Sequence, residues 1–149
     1  MRPKKTKVKI CGITSAQDAA DCAAAGCHGL GFVFFRKSPR YLRPQQAATI
    51  CRSIPARIEK IGVFVNAPIR RVQKIARLCG LTMLQFHGDE SPAYCRCFRG
   101  YKVVKALPLR GAQDMRRAQR YLSSPVYGLL FDSYDAVLRG GSGKSWDWG

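Results

Sequence analysis

Apolar positions along this chain gather in short continuous runs, separated by longer stretches in which apolar and polar residues alternate at helical spacing. The runs fall at 7–13, 29–35, 60–66, 83–87, 102–107 and 126–132. Each is bounded by Gly, Pro, Asn or a charged residue, as strands of a buried parallel sheet are. The helical stretches fall between them, at 15–25, 44–53, 68–79, 91–98 and 112–122. Pro44, Pro68 and Pro92 stand at first-turn positions, and Gly26, Gly80 and Gly100 follow the helix ends. That order matches how helices begin and stop. Ser91, just ahead of Pro92, is placed to cap its helix.

Strict strand–helix alternation predicts parallel strands joined by right-handed crossovers. Val8 to Val126 spans 118 residues over five intervals, about 24 residues per unit. This fits a doubly wound sheet or a (β/α) barrel. Two residues give the barrel its interest. Cys11 ends the first strand beside Gly12, and Asp132 ends the sixth. In a barrel both stand at the C-terminal rim, where such folds keep their chemistry. A thiolate base facing a carboxylic acid suggests proton transfer.

Composition narrows the picture. The chain has 149 residues, 46% hydrophobic, enough for one domain over residues 1–149 with a real core. No apolar run approaches bilayer length. The basic start Met1-Arg2-Pro3-Lys4-Lys5 leads straight into a strand, with no readable signal peptide. Of seven cysteines, none forms a Cys-x-x-Cys pair, and Cys22, Cys27, Cys51 and Cys79 sit among small apolar residues. Such thiols act as small buried hydrophobes, which points to a reducing, cytoplasmic location. His28 and His87 are the only histidines, and no spacing suits zinc, so no metal is expected. The net charge of +17 is scattered over helices and loops. It fits an anionic ligand or a solvated surface. No nucleic-acid module is readable, but a basic anion- or nucleic-acid-binding protein stays open as an alternative.

Six segments in order carry a family likeness: Lys9-Ile10-Cys11-Gly12-Ile13-Thr14, Gly31-Phe32-Val33-Phe34, Ser38-Pro39-Arg40-Tyr41, Gly62-Val63-Phe64-Val65-Asn66, Gln85-Phe86-His87-Gly88 and Gly140-Gly141-Ser142-Gly143-Lys144. The series resembles phosphoribosylanthranilate isomerase, a (β/α)8 TIM-barrel enzyme of tryptophan biosynthesis, from Val8 to Trp148. The resemblance implies an Amadori rearrangement of N-(5-phosphoribosyl)anthranilate to 1-(o-carboxyphenylamino)-1-deoxyribulose 5-phosphate, with no metal or organic cofactor. It implies Cys11 as general base, Asp132 as general acid and Arg40 as the partner of the anthranilate carboxylate. It also implies a mobile loop, including Gly141, Ser142, Gly143 and Lys144, that closes over the substrate.

The family grips the substrate phosphate with loops after strands seven and eight. Only six units are readable here. The expected fold class is therefore α/β, TIM-barrel family, about six of eight βα units, a partial barrel whose open edges invite self-association. An inactive or partner-completed fragment is the matching functional alternative. The family also carries an acidic residue where His28 stands, a change expected to touch only local packing.

Elementary chemistry supports the implied roles without excluding simpler ones. Positive charge from Lys9 and Arg40 favours a thiolate at Cys11, yet a strand cysteine is often just a packed core thiol. Desolvation at an apolar strand end holds a carboxyl protonated, yet Asp132 is also a natural loop cap. Arg40 is either a solvated cation or a ligand residue, and its long loop favours the second. His87 ends strand four and either touches substrate or bonds backbone. The Gly140–Lys144 segment lacks the upstream glycine of a P-loop.

Overall fold

The computed structural model describes residues 6–109 and 112–132. Among these, strands β1 (Lys9–Cys11), β2 (Gly29–Val33), β3 (Glu59–Phe64), β4 (Met83–Phe86), β5 (Lys102–Pro108) and β6 (Gly128–Asp132) form one parallel sheet in chain order. Helices α1 (Ala16–Ala24), α2 (Pro44–Ser53), α3 (Ile69–Cys79), α4 (Pro92–Cys95) and α5 (Ala112–Leu122) alternate with them. Strands at the two ends of the order contribute to one cavity, so the sheet curls into an arc.

The helices start where local donors are satisfied. The Ser15 hydroxyl accepts from Asp18 N–H at 3.0 Å, and Ser91 accepts from Tyr94 N–H at 3.2 Å. Pro44 opens α2 as expected, but Pro68 is the extended cap before α3 and not its first turn (φ −58°, ψ 140°). Gly26, Gly80 and Gly100 take left-handed φ values of 84°, 58° and 94° after α1, α3 and α4.

Most strands are shorter than the apolar runs suggest, β1 most of all. Gly12 turns the chain at φ 90°. The N–H groups of Gly12 and Ile13 then both bond Gly31 O, at 2.9 and 3.0 Å. That convergence ends the ladder at Cys11. Helix α4 covers four residues rather than the whole 91–98 stretch. His28 accepts from Val8 N–H through Nδ1 at 3.2 Å, so it has a specific role tying β1 to β2.

Alternation along each strand separates two faces. Leu30, Phe32, Phe34, Phe64, Leu84, Phe86, Val103 and Leu107 pack outward with Ala47, Ile50 and Cys51 of α2 and Val72, Ile75 and Ala76 of α3. Phe86 anchors this layer, with ring centroids 4.9 Å from Phe98, 5.1 Å from Tyr94 and 6.3 Å from Phe64. Cys51, Cys79 and Cys95 are buried in it, and desolvation pushes their thiols up to about 12, 11 and 11. Cys22 and Cys27, expected to be buried, are only half-buried at the margin.

Candidate active site

The inner face of the arc repeats one device. Residues two apart on a strand point the same way, and the pairs Lys9/Cys11, Val33/Phe35, Val63/Val65, Gln85/His87 and Leu130/Asp132 converge. With Ser38, Pro39 and Arg40 from the β2–α2 loop they line a cavity of about 330 Å³ at the C-terminal ends of the strands. Four of the residues singled out from sequence, Cys11, Arg40, His87 and Asp132, therefore meet at one place. Gly141, Ser142, Gly143 and Lys144 lie outside the described residues.

Cys11 is a free, half-buried thiol on the cavity wall. A side chain at position 31 would lie 3.0 Å from its Sγ and 3.2 Å from Lys9 Cε. Gly31 thus leaves room for the thiol and the lysine stem side by side. Arg40 comes from a loop that folds back over the end of β1. Leu42 N–H bonds Val33 O at 3.0 Å, Tyr41 bridges to Val33, and Arg40 N–H bonds Ser38 Oγ at 3.2 Å. The arginine stem then crosses Gly12 so closely that a Cβ there would lie 2.4 Å from Cδ.

His87 and Asp132 face each other, Nε2 to Oδ2, at 3.0 Å. The Gln85 amide nitrogen lies 3.1 Å from His87 Nδ1. With that amide donating to Nδ1, the imidazole proton sits on Nε2 and is donated to Oδ2 of Asp132. Burial lowers the proton affinity of His87, opposed by Asp132 and reinforced by Lys105 and Lys9. The ring is thus neutral near pH 7. Asp132 has a side-chain partner across the rim, a role distinct from a local loop cap. Gln85 belongs to the Gln85-Phe86-His87-Gly88 segment, whose pattern alone assigns it no role. Its position two residues before His87, hence on the same face, was the available signal.

A second, wider cleft of about 670 Å³ lies between the start of α2 and the side of α3. Arg36, Arg43, Arg71 and Lys74 line it, and among the described residues no carboxylate does. No cluster suited to a metal occurs among the described residues, and no described helix is long and apolar enough to cross a membrane.

A parallel β/α arc with a thiol, a carboxyl, an imidazole and a guanidinium around one cavity at its strand ends defines a barrel-class protein with a small-molecule site. The chain matches the family described as N-(5'phosphoribosyl)anthranilate (PRA) isomerase over residues 8–149. It is 46% identical over 143 residues to the N-(5'-phosphoribosyl)anthranilate isomerase of Citrifermentans bemidjiense, covering 96% of this chain and 68% of that protein. The enzyme of Acidithiobacillus ferrooxidans is 44% identical, at 95% and 68% coverage. Among solved structures, phosphoribosyl anthranilate isomerase from Thermotoga maritima superposes with a TM-score of 0.88 at 36% identity, over 97% of this chain and 69% of that one. A second such isomerase, in complex with reduced 1-(o-carboxyphenylamino)-1-deoxyribulose 5-phosphate, gives 0.82 at 36% identity, over 88% and 66%. The chain belongs to the N-(5'-phosphoribosyl)anthranilate isomerase family. It spans about two thirds of the length of the relatives it matches.

Proposed function

We propose that the protein is an isomerase of tryptophan biosynthesis, converting N-(5-phosphoribosyl)anthranilate to 1-(o-carboxyphenylamino)-1-deoxyribulose 5-phosphate. The observation that carries this is the shared cavity, which brings Cys11 of β1 and Asp132 of β6 to one substrate-sized space. Asp132, protonated on the oxygen that His87 does not touch, gives that proton to the ribose ring oxygen as the bond from that oxygen to the anomeric carbon breaks. The nitrogen lone pair forms the C=N bond of a protonated Schiff base. Cys11, as thiolate, takes the proton from the adjacent carbon, and that C–H electron pair forms an enolamine. Tautomerisation of the enolamine gives the ketose. Arg40 grips the anthranilate carboxylate, a planar anion matched by a guanidinium fork. His87 lies at the substrate edge and holds Asp132. The family resemblance assigns Gly141, Ser142, Gly143 and Lys144 to substrate binding. The chemistry calls for no cofactor.

The six described strands are read as about six of the eight units of a barrel, a single partial-barrel domain over residues 1–149. The curved order β1 to β6 and the coverage of the Thermotoga maritima structure support that reading. The enzyme works in the cytoplasm, a location in keeping with seven free cysteines. It self-associates through the sheet edges, where Ile10 of β1 and Phe131 of β6 are exposed. One of the solved relatives is described as monomers of a dimeric Thermotoga maritima isomerase. The test is direct. Wild-type protein should consume N-(5-phosphoribosyl)anthranilate, and Cys11→Ser and Asp132→Asn should not. Wild-type protein that binds the product but shows no turnover would leave a binding fragment instead. The cleft lined by Arg36, Arg43, Arg71 and Lys74 favours a second reading, as a site for anions.

A further inference from the structure

Lys105 stands where a lysine is least at home. It sits on β5 between Val103 and Leu107, on the helix-covered face of the sheet, and it is fully buried. Its register partner is Phe86, the aromatic anchor of the same layer. A lone ammonium in such a layer is costly unless every proton finds an acceptor. Here the acceptors are specific. Nζ donates to Phe86 O at 3.1 Å, Gly88 O at 2.7 Å and Ala106 O at 2.9 Å, and it pairs with Glu90 Oε2 at 3.1 Å. Phe86 and Gly88 are the residues on either side of His87.

Glu90 completes the grip. It too is buried, and its two oxygens accept from Gly88 N–H at 2.8 Å and from Asn66 N–H at 2.7 Å. Tyr121 of α5 donates to Glu90 O at 2.6 Å. His87 N–H bonds Phe64 O at 2.8 Å. The Phe86 and Gly88 carbonyls and the Gly88 N–H are thus tied to a buried charge, and the His87 N–H to the neighbouring strand. Mutual compensation of two buried charges could be met by any apolar pair of the same volume, so stability alone does not call for this arrangement.

We propose that Lys105 and Glu90 are positioning residues for the reaction: clamped behind the sheet, they fix the His87 ring so that its Nε2–H meets Asp132 across the cavity. They touch no substrate. The inference rests on the proposed isomerase reading for its effect on turnover, but its structural half does not. The charged groups that act on His87 are Asp132 from β6, Lys105 from β5 and Lys9 from β1, with Gln85 as its neutral partner on β4. Removing Lys105 takes away a repelling cation and two anchoring bonds, so the ring should both gain proton affinity and lose its fixed tautomer.

The experiment uses Lys105→Met, with imidazole nitrogen NMR of His87 across pH and steady-state kinetics. Lys105→Met/Glu90→Gln, which removes both buried charges together, is measured in parallel in case the single variant does not fold. The expected result is a His87 titration displaced to higher pH, loss of the single Nε2–H tautomer, and kcat down about tenfold or more with KM within about twofold, since misplaced groups cost turnover before affinity. A folded variant with an unchanged His87 titration and tautomer overturns the proposal, whatever its melting temperature. A changed tautomer with unchanged kcat overturns its link to turnover. If wild-type protein shows no isomerase activity, the isomerase reading fails, and the NMR comparison still decides whether the clamp sets His87.

Discussion

Arg40 reaches the cavity over a position where any side chain would collide with it. Gly12→Ala would place a methyl 2.4 Å from the arginine Cδ and force φ 90° on a residue with a Cβ. We expect about 1–2 kcal/mol of lost stability from the backbone alone, and a raised KM as the guanidinium is pushed aside. Denaturant melts and kinetics check the two effects separately. Arg40→Lys keeps the charge but loses the fork. It should weaken the anthranilate-bearing product more than a ribulose phosphate without the aryl acid, and equal losses by calorimetry would reduce Arg40 to a general cation. Cys11→Ser should lower kcat by at least about a hundredfold, the usual scale for a lost general base, with product affinity nearly unchanged. At low pH, His87 and Glu59 act in the same direction. Burial depresses His87 in the folded state, so its contribution is fully present above the ordinary value of 6.5 and is lost as pH falls below it. Hydrogen bonding from Lys102 depresses Glu59, whose contribution is present above 4.5 and lost as pH falls through its folded value. Urea midpoints should therefore drop between pH 7.5 and 5.5, and His87→Gln should flatten that drop.

Among the elements, α2 and α5 coincide with their sequence patterns, because proline or amphipathic spacing marks their ends. β1 does not, because its end is fixed by two amides converging on Gly31 O, a contact made 19 residues away that no local pattern carries. Cys11, Arg40, His87 and Asp132 could be picked out from their strand-end and loop positions. The pairing of His87 with Asp132 could not, since it depends on the sheet curling to bring β4 and β6 together. Lys105 carries a signal of its own in the sequence: a charged residue inside an apolar strand is rarely accidental. Phe86 shows how much one element carries. It is fully buried and touches three rings contributed by β3 and the α4 region. Phe86→Ala should cost about 3–5 kcal/mol, and since its carbonyl also receives Lys105, thermal melting and the His87 tautomer should change together.

Over the whole molecule, charge and sheet edges govern behaviour in solution. Arg36, Arg43, Arg71 and Lys74 line the α2–α3 cleft with no carboxylate among the described residues. Inorganic pyrophosphate should therefore bind there in a salt-sensitive way, and Arg71→Ala/Lys74→Ala should abolish that binding while leaving isomerase turnover intact. Sedimentation of the 149-residue chain should reveal species larger than 16.6 kDa, with Ile10→Lys shifting the mass toward monomer. The two faces of the arc have a different consequence. Residues that hold the helices lie on its outer side, while positions 9, 11, 33, 63, 65, 85, 87, 130 and 132 look inward. A directed-evolution library confined to the inward set, with Cys11 and Asp132 kept, would vary substrate preference while leaving the folding determinants in place. A change of chemistry on this architecture would then need the exchange of only a handful of codons.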